Sequence, residues 1–137
     1  MKIEHTSTPN QQDIDYLTQK LNDETPYREG AQPFAFYIRD ESNTIIAGCS
    51  GEVMFGSLYT GLLWVHPDYR KQGLARKLME QVHTHGHKMG CHIASVLTMS
   101  FQSARGFYES LGYECDLERP GYIEGSSCIF LKKILPP

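Results

Sequence analysis

HPDYRKQGLARKLMEQV, residues 66–82, is the stretch from which the rest of the chain is read. It begins as a turn at His66-Pro67 and continues with helical spacing. Leu74, Leu78 and Val82 recur four apart with Ala75 and Met79 beside them, an apolar stripe on one helix face. Arg70 and Lys71 stand where that helix should begin. A helix N-terminus carries partial positive charge and favours Asp or Glu, so each cation costs roughly a few tenths of a kcal/mol there. The cost reverses if an anion lies between the cations and the backbone N–H groups of the first turn. Gly73 has no Cβ to hold a ligand off the backbone, and Ala75 is small. Two readings stay open on spacing alone. One is an anion site at the carboxyl end of a strand; the other is a solvated basic loop whose glycine only makes a turn. A Walker loop and a dinucleotide-binding fingerprint both fit worse, because their glycine spacing is absent and only Gly73 is available.

Working outward, the segment is preceded by three strand patterns. PFAFYIRD alternates Phe34, Phe36 and Ile38; TIIAGCSGEVMF follows the tight turn ESN, with Gly48 and Gly51 marking a bend or bulge; GSLYTGLLWV, residues 56–65, ends at His66-Pro67. Together they predict an antiparallel meander. Upstream, Pro9 and Asn10 can start a helix carrying Ile14, Leu17 and Leu21, and residues 25–33 (TPYREGAQP) read as a loop. Downstream, Gly86 and Gly90 mark the decay of the long helix. CHIASVLTM reads as a buried strand parallel to the LLWV strand, completing a strand–helix–strand crossover. SARGFYESLGY holds a short helix with Ala104, Phe107 and Leu111 inward and Gly112 at its end. YECDLER and SSCIFLKKIL are closing strands joined by PGYIEG.

The composition is that of an ordinary globular domain: 137 residues, 40% hydrophobic and 21% charged, enough to bury a core without staples. A formal net charge of −3 argues against a nucleic-acid partner, which needs a basic field. Cys49, Cys91, Cys115 and Cys128 form no C-x-x-C pair and read as reduced, mostly buried thiols. No charged-then-apolar leader opens the sequence, and no apolar run approaches about 18 residues. The expectation is a cytoplasmic protein with no membrane partner.

Leu63 to Ala75, LWVHPDYRKQGLA, resembles the acyl-CoA-binding motif of the GNAT superfamily of N-acetyltransferases, Q/R-x-x-G-x-G/A after an L-x-V-x-P strand end. Arg70, Gly73 and Ala75 fill the motif, and GFYESLGY resembles the family's later helix and strand, commonly L-Y-E-K-L-G-F. The order of elements agrees from about residue 34 onward. The resemblance implies a single N-acetyltransferase domain over residues 1–137 with a mixed α+β fold. Its central sheet would be mostly antiparallel, of about six to seven strands flanked by about three to four helices. It also implies that Leu63, Trp64 and Val65 pair with the pantetheine arm of acetyl-CoA. Arg70, Lys71, Gln72, Gly73, Leu74, Ala75 and Arg76 would hold the diphosphate, with the cations facing it and the dipole helping.

The implied reaction is direct attack of an amine on the thioester, the acceptor being a small molecule or a protein amine. The Val65 N–H is the candidate oxyanion donor, and Tyr108 of GFYES is the family's acid for the departing thiolate. From the residues alone Tyr108 reads as a half-buried aromatic beside a core Phe107, and only the resemblance gives it a catalytic role. The strands SLYTGLLWV and HIASVLTM carry no acidic residue, so no general base is assigned; Glu52 and Glu124 are the remaining carboxylates to weigh. Phe101 replaces the family's cofactor-touching Asn, which leaves Gln102 as the neighbouring polar candidate. His83 and His87, one turn apart, have a chelating spacing but no acidic ligand nearby, and no metal is expected. Trp64 reads as core packing under a helix, and Tyr37, Phe55, Tyr59 and Tyr122 as candidate walls of an acceptor pocket. A homodimer through the closing strands is compatible with the resemblance. The rival from another class is a catalytically silent acyl-CoA-binding module.

Overall fold

The computed structural model describes residues 1–27 and 30–137, in two compact units, Met1–Gly30 and Ala31–Pro137. The first contains helix α1 (Gln11–Asp23). Its start is where the sequence puts it: the Asn10 side chain accepts from the Gln12 N–H at 2.8 Å, a standard N-cap. The loop expected over residues 25–33 includes residues 28 and 29, which lie outside the described residues.

The second unit is built on a six-stranded sheet with β1 (Gln32–Arg39), β2 (Ile45–Met54), β3 (Ser57–Val65), β4 (Ile93–Met99), β5 (Glu114–Pro120) and β6 (Ser127–Ile134). The spatial order is β1-β2-β3-β4-β6-β5, and every neighbouring pair is antiparallel except β3 with β4. Helix α2 (Leu74–Lys88) carries the chain from β3 to β4, and α3 (Arg105–Ser110) carries it from β4 to β5. This is the mixed, mostly antiparallel sheet that the sequence predicts. The β2–β3 hairpin closes through Phe55 and Gly56, both at positive φ (52° and 77°), the backbone that a two-residue turn needs to match strand twist.

Local sequence explains which face each element buries. Phe34, Phe36 and Ile38 of β1 turn inward together, and the rings of Phe34 and Phe36 lie 5.4 and 6.1 Å from the His85 ring of α2. Helix α2 buries Leu78, Met79 and Val82, the predicted stripe. Leu58, Met79, Val82 and Leu131 are the largest fully buried side chains, and truncating one such leucine or methionine to Ala costs about 2–5 kcal/mol. Helix α3 and the turn that follows it are fastened to the same body by polar contacts. Arg76 donates to Ser110 Oγ (3.1 Å), Lys133 to the Leu111 carbonyl (2.5 Å), and His83 Nε2 meets the Tyr113 hydroxyl (2.8 Å). Cys49, Cys91 and Cys128 are buried free thiols, and Cys115 is exposed.

One expectation needs correction. Gly86 does not mark the decay of α2: the helix runs to Lys88, and Gly86 is buried within it. A Cβ there would sit 2.9 Å from Leu58 Cδ1, so the glycine lets the helix lie close over β3. The chain turns out of the helix at Gly90 instead, at φ +74°. The expected parallel pairing is present, on the first half of β3. Strand β4 meets β3 from Ser57↔Ile93 to Thr60↔Val96, and no rung joins it to Leu63, Trp64 or Val65.

The reason lies at Gly61. Against β2 the register runs Gly51↔Thr60 and then Ser50↔Leu62, leaving Gly61 unmatched, a bulge. The sequence points to this irregularity through Gly51. A Cβ on Gly51 would lie 1.9 Å from the Tyr59 carbonyl oxygen and 2.9 Å from Thr60 Cα, so only glycine permits the approach. The extra residue also shifts the inward set of β3 from Leu58 and Thr60 to Leu63 and Val65.

Candidate functional site

Beyond Thr60 and Val96 the two parallel strands form a fork, with Gly61–Val65 on one arm and Leu97–Met99 on the other. Backbone alternation decides what faces the gap. The His66 N–H donates to the Ile46 carbonyl at 2.7 Å, so positions 46 and 66 form a hydrogen-bonded pair. Two rungs away, Gly48 and Trp64 form the next, and the intervening Leu63 and Val65 turn their N–H and C=O groups away from β2 and toward the fork. The Val65 carbonyl is taken by Arg70 Nε at 2.9 Å. The Val65 N–H and both backbone groups of Leu63 remain directed at the gap.

The mouth of the fork is the loop from Arg70 to Gly73. Lys71 (φ 63°) and Gly73 (φ 79°) are left-handed, and Gly73 caps α2 with no acidic residue in the first turn. The first pair inside the helix end is Lys77 N–H to Gly73 O at 3.0 Å. Among the described residues the N–H groups of Lys71, Gln72, Gly73, Leu74, Ala75 and Arg76 have no hydrogen-bond partner. Consecutive free amides at a helix N-terminus form an anion cradle, and left-handed residues in the approach are what bend the backbone into it. Arg70, Lys71 and Arg76 have no ion-pair partner among the described residues, so their charge is uncompensated there.

Loop and fork enclose a cleft of about 530 Å³. Of the residues expected from the sequence, Leu63, Trp64, Val65, Arg70, Lys71, Gly73, Leu74, Ala75 and Arg76 line it; Gln72 contributes a free amide without lining it. Four lining residues were not singled out as binding residues: Tyr69, Ser103, Ala104 and Phe107. The small pair Ser103-Ala104 ahead of α3, with an aromatic one turn later, is the signal that could have found them.

Tyr108 lies apart from the cleft lining and is 7% exposed, in contact with Tyr113 (5.5 Å between ring centroids) and Phe107 (5.3 Å). The sequence reading reverses the burial of this pair: Phe107 is half-buried on the cleft, and Tyr108, one turn after Ala104, is in the core. Burial pushes the Tyr108 phenol up to about 12, with Cys49 and Tyr59 adding to the shift. The group therefore keeps its proton at neutral pH. Its hydroxyl has no hydrogen-bond partner among the described residues.

Other expected features are placed differently. Trp64 is not core packing: it is 47% exposed, lines the cleft and meets the His66 ring edge-on at 5.9 Å. The unmatched Gly61 is the physical reason, since it sends Leu63 and Val65 inward and Trp64 outward. Phe101 is exposed, and Gln102 turns back on the chain, its Oε1 accepting from the Met99 N–H (2.8 Å) and the Thr98 hydroxyl (3.2 Å). Tyr37, Phe55, Tyr59 and Tyr122 are exposed and do not line this cleft. Glu52 sits opposite Tyr59 on β2, and Glu124 is exposed in a turn at φ 51°.

Strands β3 and β4 carry no carboxylate. His83 is engaged with Tyr113, and burial, helped by the charge of Lys133, pulls its imidazole down to about 4. Among the described residues no group of three His, Cys, Asp or Glu side chains could hold a metal, and no helix is long and apolar enough to cross a membrane.

Comparison with known proteins agrees with this architecture. Residues 32–115 match the family model described as an acetyltransferase (GNAT) domain. A blasticidin-S acetyltransferase of Streptomyces morookaense is 33% identical over 115 residues, covering 81% of this chain and 83% of that protein. Among solved structures, an Agrobacterium tumefaciens protein described as an acetyltransferase superposes with a TM-score of 0.85 at 25% identity, over 98% of this chain and 99% of that one. An acetyltransferase from Bacillus cereus shares the fold with a TM-score of 0.77 at 22% identity, over 96% of this chain and 98% of that one.

Proposed function

The chain belongs to the GNAT family of acetyltransferases, and we propose that it moves an acetyl group from acetyl-CoA to a primary amine by direct attack on the thioester. Residues 1–137 act in this reading as one N-acetyltransferase domain. The observation that carries it is the run of amides from Lys71 to Arg76 at the mouth of the fork, ringed by three cations, all without a partner among the described residues. A diphosphate supplies the acceptor oxygens such a cradle lacks.

Every step except deprotonation of the amine then has a residue. The amides of residues 71–76 and the guanidinium and ammonium groups of Arg70, Lys71 and Arg76 hold the diphosphate. Leu63 and Val65 offer backbone groups to the amides of the pantetheine arm, as a strand would. The Val65 N–H donates to the carbonyl oxygen as the amine attacks and charge develops on it. Tyr108 supplies the proton that lets the carbon–sulfur bond break with CoA leaving as the thiol; its burial keeps that proton in place until it is needed. A lysine-like amine has a pKa of about 10.4 and must lose a proton before attacking. With no carboxylate on β3 or β4, the chain does not carry the base on the arms of the fork.

The acceptor is a small-molecule or protein amine. The relative named for blasticidin S makes that compound a first member of the panel to test. CoA release is followed over small amines, blasticidin S and peptide amines, alongside calorimetric titration with acetyl-CoA and with ATP. The reading expects acetyl-CoA to bind more tightly than ATP, and at least one amine to drive CoA release above a Tyr108→Phe control. Gly73→Glu, where a Cβ meets nothing within 4 Å and the left-handed φ of +79° costs an L residue about 1–2 kcal/mol, should fold with a lowered thermal midpoint and lose acetyl-CoA binding through bulk and charge at the cradle. Undiminished affinity in that variant, or ATP binding as tightly, would overturn the placement. Acetyl-CoA binding without turnover would mark a silent binding module.

A further inference from the structure

We infer that a second cleft, at the end of α2 away from the cradle, binds a small organic anion: a carboxylate or phosphate monoester that carries a short apolar group. The cleft has a volume of about 410 Å³, within the range of small-molecule sites. Helix α2 contributes His83, Thr84, His87 and Lys88 to its lining. Strand β6 contributes Lys133, and Leu135 and Pro136 come from the residues after it. Two lysines and two histidines thus share one cleft with no Asp or Glu, in a chain whose formal net charge is −3. A cleft lined by one sign of charge concentrates the opposite sign from solution. The site is separate from the cradle, since Leu74 and His83 lie roughly 14 Å apart along the helix axis.

Structural duties account for part of this lining. His87 and Lys88 stand in the last turn of α2, where a cation offsets the helix dipole. Lys133 donates to the Leu111 carbonyl, and His83 Nε2 meets the Tyr113 hydroxyl. The dipole of α2 asks for no cation from β6, however, and the Leu111 carbonyl asks for none from α2. Both ammonium groups nevertheless line the same cleft. An ammonium has three donors, of which Lys133 gives one to Leu111. Neither Lys88 nor Lys133 has an ion-pair partner among the described residues. The Lys133 charge is felt inside the cleft: burial first, and then that charge, pull the His83 imidazole down to about 4. His83 is therefore a neutral hydrogen-bonding group at neutral pH. Leu135, 6% exposed, and Pro136 supply an apolar side. An anion of the stated class would meet the ammonium groups through charge-assisted hydrogen bonds while its apolar group lay against Leu135 and Pro136. Inorganic phosphate would leave that side unfilled.

The test follows the imidazole signals of His83 and His87 by NMR, at fixed pH and ionic strength, in titrations with phenyl phosphate, butyrate, inorganic phosphate and the uncharged butyramide. At least one organic anion should shift both signals saturably, inorganic phosphate should bind more weakly, and butyramide should not bind. The tighter of phenyl phosphate and butyrate tells a phosphate ester from a carboxylate. Lys133→Gln should weaken binding about tenfold, and Lys88→Glu at least as much because it reverses a charge. Arg70→Glu, at the cradle, should leave it unchanged. Thermal midpoints establish that each variant folds. Lys133→Gln also frees the Leu111 carbonyl, whereas Lys88→Glu alters an exposed side chain at a helix end, so the second decides if the first does not fold. No saturable shift with either organic anion, or butyramide or inorganic phosphate binding as tightly, would overturn the inference. So would undiminished binding in Lys88→Glu, or its loss in Arg70→Glu, which would move the anion to the cradle. The inference does not rest on the transfer reaction, and failure of that reading would not change these titrations.

Discussion

The two halves of β3 have the same backbone and opposite tasks. From Ser57 to Thr60 the strand is paired on both sides and its inward residues are sealed; from Leu62 to Val65 it is paired only with β2. One half holds the sheet together. The other keeps a free hydrogen-bonding edge, which the proposed reading gives to the acyl donor. A single unmatched residue divides them, so a functional edge can be made inside a sheet without exposing a whole strand.

Breaking the closed half should have the largest effect. Gly51→Ala pushes a methyl against the Tyr59 carbonyl, at 1.9 Å for the ideal Cβ. Such overpacking against backbone should cost about 3 kcal/mol or more, read as a drop of roughly 10 °C in the thermal midpoint. Gly61→Ala, whose Cβ meets only the Tyr59 ring at 3.3 Å, should shift the midpoint far less; equal losses would erase the distinction between the halves. Next in size, Tyr108→Phe should leave fold and acetyl-CoA affinity intact and lower kcat about a hundredfold. Steady-state kinetics with the best amine of the panel checks this.

Arg70→Ala removes both a cation and the bond to the Val65 carbonyl, so acetyl-CoA should bind about tenfold more weakly and with a shallower salt dependence. Arg70→Lys restores charge without the Nε contact and should recover only part of the affinity, which calorimetry at two salt concentrations resolves. The smallest effect lies away from the strand. The imidazole of His83 is lowered from 6.5 to about 4, so the fold favours its neutral form. That contribution is complete above 6.5 and is lost as pH falls toward 4, because the unfolded chain takes up the proton first. His83→Gln should flatten part of the decline of the thermal midpoint over that window without changing acetyl-CoA affinity at neutral pH.

Much of this is legible in the residues because local chemistry announces it. Arg70, Lys71 and Gly73 stand out against the helix dipole, and the cleft they border is where spacing and family likeness put it. The meander and the crossover follow from alternation and helical stripes. What stays hidden is non-local. The point where β3 and β4 part depends on Gly61 having no partner, and nothing beside Gly61 records which residue it fails to meet. Gly86 looks like a helix end until Leu58 is known to lie under it. The outward turn of Trp64 stays hidden for the same reason as the parting point, and the burial of Tyr108 against Phe107 because a six-residue helix has too little periodicity to tell neighbours apart.

Lys71 carries a consequence for anyone improving this protein. Its left-handed backbone, at φ 63°, is one that a lysine occupies at a cost of about 1 kcal/mol and that glycine or asparagine occupies more readily. Selection for heat resistance alone would therefore favour Lys71→Gly or Lys71→Asn and thin out the positive charge at the cradle. Such lineages would survive hotter incubations while their acyl-donor affinity declined, and screening for durability and for turnover would pull this position in opposite directions.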